Sequence, residues 1–219
     1  MLKYYQMIIK PHPPSRKVAE RVSSSATNIF RAFEGSKMPG LFRCRICGEV
    51  YFGTHPSHCP HCGAHEKYMI RNGVWKEENL PLDLSDISRR NLQETKRLEF
   101  DATQFYRAAA KETRNPQIKG FFKYLARTEK EHYEVACKLL GDEISAAIDE
   151  ASRGEGSDIE NLKKSQTTEE HVTALYKKFA DEAVEPRVKE VFLAISEVEA
   201  DHISLDVEEI NNFNDRSDK

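Results

Sequence analysis

The feature that most constrains this chain is a self-match at a fixed offset of 70 residues. Positions between Glu99 and His132 find the same residue type 70 further on, among them Glu99 on Glu169, Tyr106 on Tyr176, Ala110 on Ala180, Pro116 on Pro186, Phe122 on Phe192, Glu129 on Glu199 and His132 on His202, with no gap. Each copy reads as two helices. Leu98, Ala102, Phe105/Tyr106 and Ala109 recur three or four apart before Asn115-Pro116, and Phe122, Leu125, His132 and Ala136 do so after it until Gly141. In the second copy Ser157-x-x-Glu160 is a capping box. Tyr176 and Phe179 follow it before Glu185-Pro186, and Phe192, Ile195, His202 and Ile210 mark the last helix. Helices of about 25 residues are roughly 37 Å long, and two antiparallel hairpins of that length joined by a longer crossover after Gly141 predict an all-α fold with a four-helix bundle.

What the helices would bury is not apolar. Glu129-Lys-Glu-His132 and Glu199-Ala-Asp-His202 are both Glu-x-x-His, and residues three apart on a helix project from one face. That face is the core stripe, because Phe122 and Leu125 lead into the first pair and Phe192 and Ile195 into the second. Glu99 and Glu169 also fall on core stripes, each seven residues before a tyrosine. Four buried carboxylates need positive charge, and a pair of metal ions supplies it. One Glu from each of two helices plus Glu-x-x-His from each of the other two is the ligand set of carboxylate-bridged di-iron or di-manganese bundles. Tyr106 and Tyr176 are expected to pack in the core and donate a hydroxyl to a ligand carboxylate. Glu131, Glu170, Glu197 and Asp201 read as solvated.

A second metal signal precedes the bundle. Cys44-Arg-Ile-Cys47-Gly48 and Cys59-Pro-His-Cys62-Gly63 form two C-x-x-C knuckles eleven residues apart, in a stretch whose glycines read as turns rather than regular structure. Four thiolates in tetrahedral array hold one Fe or one Zn, and the spacing does not choose between them. The glycine after each second Cys lets backbone N–H groups turn toward the sulfurs. A complete sulfur set leaves His58 and His61 as bystanders, and Cys137 reads as a buried thiol. Zinc would be structural, whereas iron would shuttle one electron and gains a purpose from a second redox centre in the bundle.

Composition excludes several alternatives. Residues 1–43 carry eight Lys/Arg against two Asp/Glu, and the rest 25 against 34, so the whole is near balance at 33 to 36 and nucleic acid is not an expected partner. No run approaches the ~18 apolar residues of a membrane helix and no secretory signal is evident, so a cytoplasmic location without membrane association is expected. The organisation reads as an extension over 1–40, with a basic amphipathic helix from Ser15 to Glu34; a four-cysteine module over 41–70; a linker over 71–84; and the bundle over 85–215.

These residues resemble the rubrerythrins, which join a rubredoxin-type iron site to a ferritin-like di-iron bundle. The resemblance covers Cys44 to about Asn211, with the rubredoxin-like module in front of the bundle instead of behind it. It implies a ferritin-like fold; Glu99, Glu129, His132, Glu169, Glu199 and His202 as di-iron ligands; and Cys44, Cys47, Cys59 and Cys62 as ligands of the rubredoxin-type iron. Zn at the cysteines and mixed Fe/Zn or Mn in the bundle are the alternatives. The implied activity is peroxidase chemistry in oxidative-stress defence, with hydrogen peroxide as substrate, Tyr106 and Tyr176 beside the catalytic ligands, electrons from an NAD(P)H-linked reductase or another donor, and a homodimer or higher homo-oligomer in which electrons cross to the neighbouring bundle. Familiar rubrerythrins carry one more Glu three residues after the third-helix ligand, and here that position is Val172. Two rival readings follow. One is a dioxygen-reducing oxidase or ferroxidase at the same site. The other is a metal-sensing bundle with a zinc ribbon as its partner-binding module.

Overall fold

The computed structural model describes residues 39–144, 154 and 156–217. The chain divides at Met38/Pro39 into two units, and all the described residues belong to the second. The expected basic helix over Ser15–Glu34 lies outside them.

Four helices follow the sequence punctuation: α1 Asp86–Glu112, α2 Pro116–Leu140, α3 Asp158–Glu182 and α4 Pro186–Ser217. Their ends are set by side chains that satisfy otherwise unpaired backbone groups. Asn115 accepts from the amides of Gln117 and Ile118 with Pro116 in the first turn, Gly141 closes α2 in the left-handed conformation, and Ser157 and Glu160 make both arms of the capping box. None of the described helices is long and apolar enough to cross a membrane. The architecture is the ferritin-like four-helix bundle with a small metal-module fold in front of it.

The glycine-rich cysteine segment departs from its turn-like reading. It holds a three-stranded antiparallel sheet of order β2-β1-β3, with β1 Gly40–Cys44, β2 Val50–Gly53 and β3 Met69–Arg71. Strands of three to five residues give too few alternations to register as a period, yet β1 buries Phe42 and Cys44 while Leu41 is exposed and Arg43 half-buried.

Buried side chains form two apolar clusters. One runs from Phe42, Ile46 and Met69 of the module into Val135 and Leu139 of α2 and Val188 and Phe192 of α4. The other gathers Tyr106, Ile118, Phe122, Leu125 and Leu162. Each large apolar side chain so buried contributes about 1.5–3 kcal/mol. Along α2 the second cluster's residues come first, then Glu129 and His132, then the first cluster's; along α4 the order is reversed around Glu199 and His202. The Glu/His layer is therefore fixed in place by apolar packing on both sides of it.

Candidate metal centres

All six Glu and His positions of the repeat are buried, at 3 % exposure or less. They form two overlapping groups, Glu99/Glu129/His132/Glu199 and Glu129/Glu169/Glu199/His202, each with donor atoms within 4.8 Å of one another. Glu129 and Glu199 belong to both, which is the placement of bridging ligands. Glu99 with His132 and Glu169 with His202 would be terminal. The duplicated hairpin thus produces a site with approximate two-fold symmetry.

The donor atoms point at common ground instead of at one another. His132 Nδ1 lies 2.9 Å from Glu129 and 3.1 Å from Glu199, and His202 Nδ1 lies 2.8 Å from Glu199 and 3.2 Å from Glu129. Yet both imidazole Nδ1 atoms and all four oxygens of Glu129 and Glu199 are buried without a partner in hydrogen-bond geometry. Buried polar groups are normally paired, so six orphans converging on one place fit a pair of cations. Charge says the same. Burial and the neighbouring Glu199 and Glu129 push the Glu99 and Glu169 carboxyls well up. Burial opposes the charged form of both histidines, but Glu199 and Glu129 overcome it and push them well up too. Without metal, protons supply the positive charge the layer requires.

Tyr106 donates to Glu169 and Tyr176 to Glu99, each crossing from one hairpin to the other. Burial and the accepting carboxylate push both phenols well up, so they stay O–H donors. Their stacking partners obey the repeat as well: Phe122 lies 6.0 Å from Tyr106, and Phe192 6.2 Å from Tyr176.

In the module the four cysteines are buried and unbridged, with Cys44 Sγ 3.6 Å from Cys62 Sγ and Cys47 Sγ 3.7 Å from Cys59 Sγ. Metal–sulfur bonds of about 2.3 Å in a tetrahedron put sulfurs about 3.8 Å apart, so the set fits one metal ion. Neighbouring sulfurs hold Cys59 low while pushing Cys47 and Cys62 up, because four uncompensated thiolates cannot share one buried site. Gly48 and Gly63 both take positive φ, +88° and +73°. Their amides donate to the carbonyls of Cys44 and Cys59 rather than to sulfur, and the amide that reaches sulfur is that of Ile46, to Cys44.

The two centres touch. His132 donates its Nε2 hydrogen to the carbonyl of Cys62 at 3.0 Å, which fixes the tautomer and leaves Nδ1 for a metal. The docking around that bond is tight: a Cβ on Gly63 would sit 2.7 Å from Val198 Cγ1. Arg187 of α4 donates to the carbonyl of Arg45 at 2.6 Å and to Asn79 at 2.7 Å, while Lys67 pairs with Glu197 and His65 with Asp201. Of the carboxylates expected to be solvated, Glu170 is exposed, whereas Glu131, Glu197 and Asp201 are half-buried, Glu131 with one oxygen enclosed, Glu197 held by Lys67 and Asp201 by His65; none of the four joins the Glu/His layer. The sequence reading missed Asp206 and Ser165, both fully buried next to the layer. The available signal was a departure from the repeat, since Asp206 stands where the first copy has Ala136.

A cavity of about 230 Å³ opens between α1 and α3 onto the site. Glu99, Glu129, Glu169 and Tyr106 line its floor, Ala102, Phe105 and Val172 its apolar wall, and the exposed Asp101 and Lys164 its mouth.

The family model described as Rubrerythrin matches residues 90–155 and 160–218, more than half of the chain. Among solved structures, a hypothetical protein from Pyrococcus furiosus is similar at 20 % identity and a TM-score of 0.50, over 60 % of this chain and 94 % of that one, which speaks to the fold alone. No curated protein matches.

Proposed function

Because the chain belongs to the rubrerythrin family, we propose that it reduces hydrogen peroxide to water at the buried Glu/His layer, with electrons delivered through the four-cysteine site of the same chain. Iron in both centres would supply the redox change, with hard carboxylate oxygens favouring its oxidised form in the bundle. The protein does the remainder. The cavity between α1 and α3 admits a small oxidant to the Glu99/Glu129/Glu169 floor, and its apolar wall limits water there. Glu129 and Glu199 would hold the two ions at a fixed separation, and Tyr106 and Tyr176 restrain the terminal carboxylates by hydrogen bonds.

The observation that carries this reading is the His132–Cys62 hydrogen bond. It gives electrons a route of one cysteine backbone and one imidazole, complete within one chain, so the route does not depend on the dimer that the resemblance implies. It also weighs against a partner-binding zinc ribbon, because the Cys62 knuckle is packed against the bundle. Dioxygen is the second reading for the oxidant. Val172 favours it, since a valine in the cavity wall removes the additional carboxylate of familiar rubrerythrins. The test is stopped-flow mixing of the dithionite-reduced, iron-loaded protein with one equivalent of peroxide or of dioxygen. Peroxide should reoxidise the bundle iron faster, and the four-cysteine absorbance should follow with a rate independent of protein concentration. Failure of stoichiometric peroxide to reoxidise the iron ends the peroxidase reading, and a rate that rises with concentration ends the intrachain route.

A further inference from the structure

One file of hydrogen-bonded side chains leaves the Glu/His layer and enters the bundle on one side only. Tyr106 donates to Glu169, Ser165 Oγ lies 3.1 Å from the Tyr106 oxygen, and the same Ser165 Oγ lies 3.0 Å from Asp206 Oδ2. All four residues are buried, Ser165 and Asp206 completely. Asp206 has no ion pair among the described residues, and its Oδ1 is buried with no hydrogen-bond partner. Leaving an ionised carboxylate in that position costs several kcal/mol, so burial favours the neutral acid. Burial pushes the Asp206 carboxyl up to about 7, against the Ser165 hydroxyl and His202, which favour its charge, and with Glu129 and Glu170, which oppose it.

Counting hydrogens gives the file a direction. Tyr106 commits its hydrogen to Glu169, so its oxygen is free to accept from Ser165. Ser165 has one hydrogen, so its oxygen accepts from Asp206 when that carboxyl is protonated. The donors then run one way, from Asp206 Oδ2 to Ser165 Oγ to Tyr106 Oη to Glu169 Oε1. The first hairpin lacks this file. Seventy residues earlier Ser165 and Asp206 become Thr95 and Ala136, and the Thr95 hydroxyl turns back to the Asn91 carbonyl at 2.9 Å. A purely structural need would fall on both copies of a duplicated hairpin; this file instead stands behind the Tyr106–Glu169 pair, both members of which line the cavity floor, whereas Tyr176 of the Tyr176–Glu99 pair is not among the lining residues.

We propose that Asp206, Ser165 and Tyr106 form a proton relay that delivers protons to the Glu169 side of the oxidant cavity. The proposal rests on the peroxide-reduction reading. One peroxide takes two electrons and two protons, its O–O bond breaks, and both oxygens leave as water. The electrons come from the four-cysteine site. One proton is drawn from Asp206 along the file: each hydroxyl passes its own hydrogen on and accepts the next, Glu169 Oε1 hands the proton to an oxidant oxygen, and Asp206, completely buried, recovers its proton back along the same file from water in the cavity before the next turnover. The second proton comes from water at the cavity mouth.

Asp206→Asn keeps the shape and a donor to Ser165 but has no acidic proton, and Ser165→Ala cuts the file while leaving the acid. In the metal-free protein, the infrared carbonyl envelope of neutral carboxylic acids, to which the raised Glu99 and Glu169 also contribute, should lose one component in Asp206→Asn and have that same component shifted in Ser165→Ala. In the iron-loaded protein with matched metal content, both variants should slow reoxidation by peroxide roughly 100-fold and alter its solvent deuterium isotope effect. Thr95→Ser, at the corresponding place in the other hairpin, should do neither. An unchanged acid band in Asp206→Asn, or wild-type rates and isotope effects in both variants, overturns the relay. If peroxide fails to reoxidise the wild type, the peroxidase reading falls instead, and the relay is judged by the infrared band and by the same comparison with dioxygen.

Discussion

Gly63 is where the two centres press closest, and replacing it with alanine puts a number on that contact. Two separate costs arise. The residue sits at φ +73°, and moving an L-residue into the left-handed region costs about 1–2 kcal/mol. Its new Cβ would lie 2.7 Å from Val198 Cγ1, so one partner must retreat by about 0.7 Å to reach a 3.4 Å contact. Overpacking of that kind costs about 1–3 kcal/mol. Gly63→Ala should therefore destabilise the metal-loaded protein by about 2–5 kcal/mol. The second cost has a specific remedy: Val198→Ala removes the offending methyl and leaves the φ strain untouched. In a cycle of four proteins the double variant should be more stable than the sum of the single effects allows, by about 1–3 kcal/mol. Urea unfolding, followed by helix signal and by the absorbance of the cysteine-bound metal, supplies the stabilities. The single Gly63→Ala protein should also pass electrons to the bundle more slowly, because the Cys62 carbonyl is carried away from His132 with its neighbour. Additivity within about 0.5 kcal/mol would refute the contact as drawn.

Two other predictions probe the charge balance. Loading metal into the apo-protein should release up to about four protons per chain, from Glu99, Glu169, His132 and His202, all of which are pushed up without metal. The sign follows: a raised group stabilises the apo-protein below its ordinary value, 4.5 for Glu and 6.5 for His, and that stability is lost as pH rises through the raised value. Apo stability should fall with pH while metal affinity rises, so the thermal gap between loaded and apo protein should widen; calorimetry showing a constant gap and no proton release would contradict this. Arg187→Met removes a guanidinium that is 10 % exposed and joins two backbone carbonyls, Asn79 and Glu190. It should cost about 2–4 kcal/mol, read as faster hydrogen exchange at Arg45 and Ile46, whereas unchanged exchange would remove Arg187 from the docking.

The parts of this molecule that a sequence can show are those that repeat. Glu129, His132, Glu199 and His202 were legible because a helical period marks a core face and these residues interrupt it twice, at one offset. The four cysteines were legible because thiolate spacing is a local property. The docking of the module was not, since it depends on a carbonyl at Cys62, a glycine with no Cβ and an arginine over a hundred residues away. None of these carries a periodic or compositional mark. The short strands were hidden by length, and Asp206 because it is one polar residue on a core stripe whose counterpart, Ala136, is apolar, with nothing repeating it.

That last point bears on how the site works. A duplicated hairpin begins by making two equal metal positions, with equal ligands and equal tyrosines. What surrounds them is unequal. His132 gives its outer nitrogen's hydrogen to the Cys62 carbonyl, whereas His202 Nε2 has no hydrogen-bond partner among the described residues. Glu169 is backed by Tyr106, Ser165 and Asp206, whereas Glu99 is backed by Tyr176 with Thr95 turned away. Reduction of an O–O bond to water needs electrons and protons at one place, and neither carrier serves for the other. Under the proposed function electrons would reach the His132 side and protons the Glu169 side, with Glu129 and Glu199 common to both ligand groups. The differences between the copies therefore carry as much of the chemistry as their likeness, and substitutions that restore the symmetry, Asp206→Ala above all, should leave the ligand layer folded while uncoupling proton delivery from electron delivery.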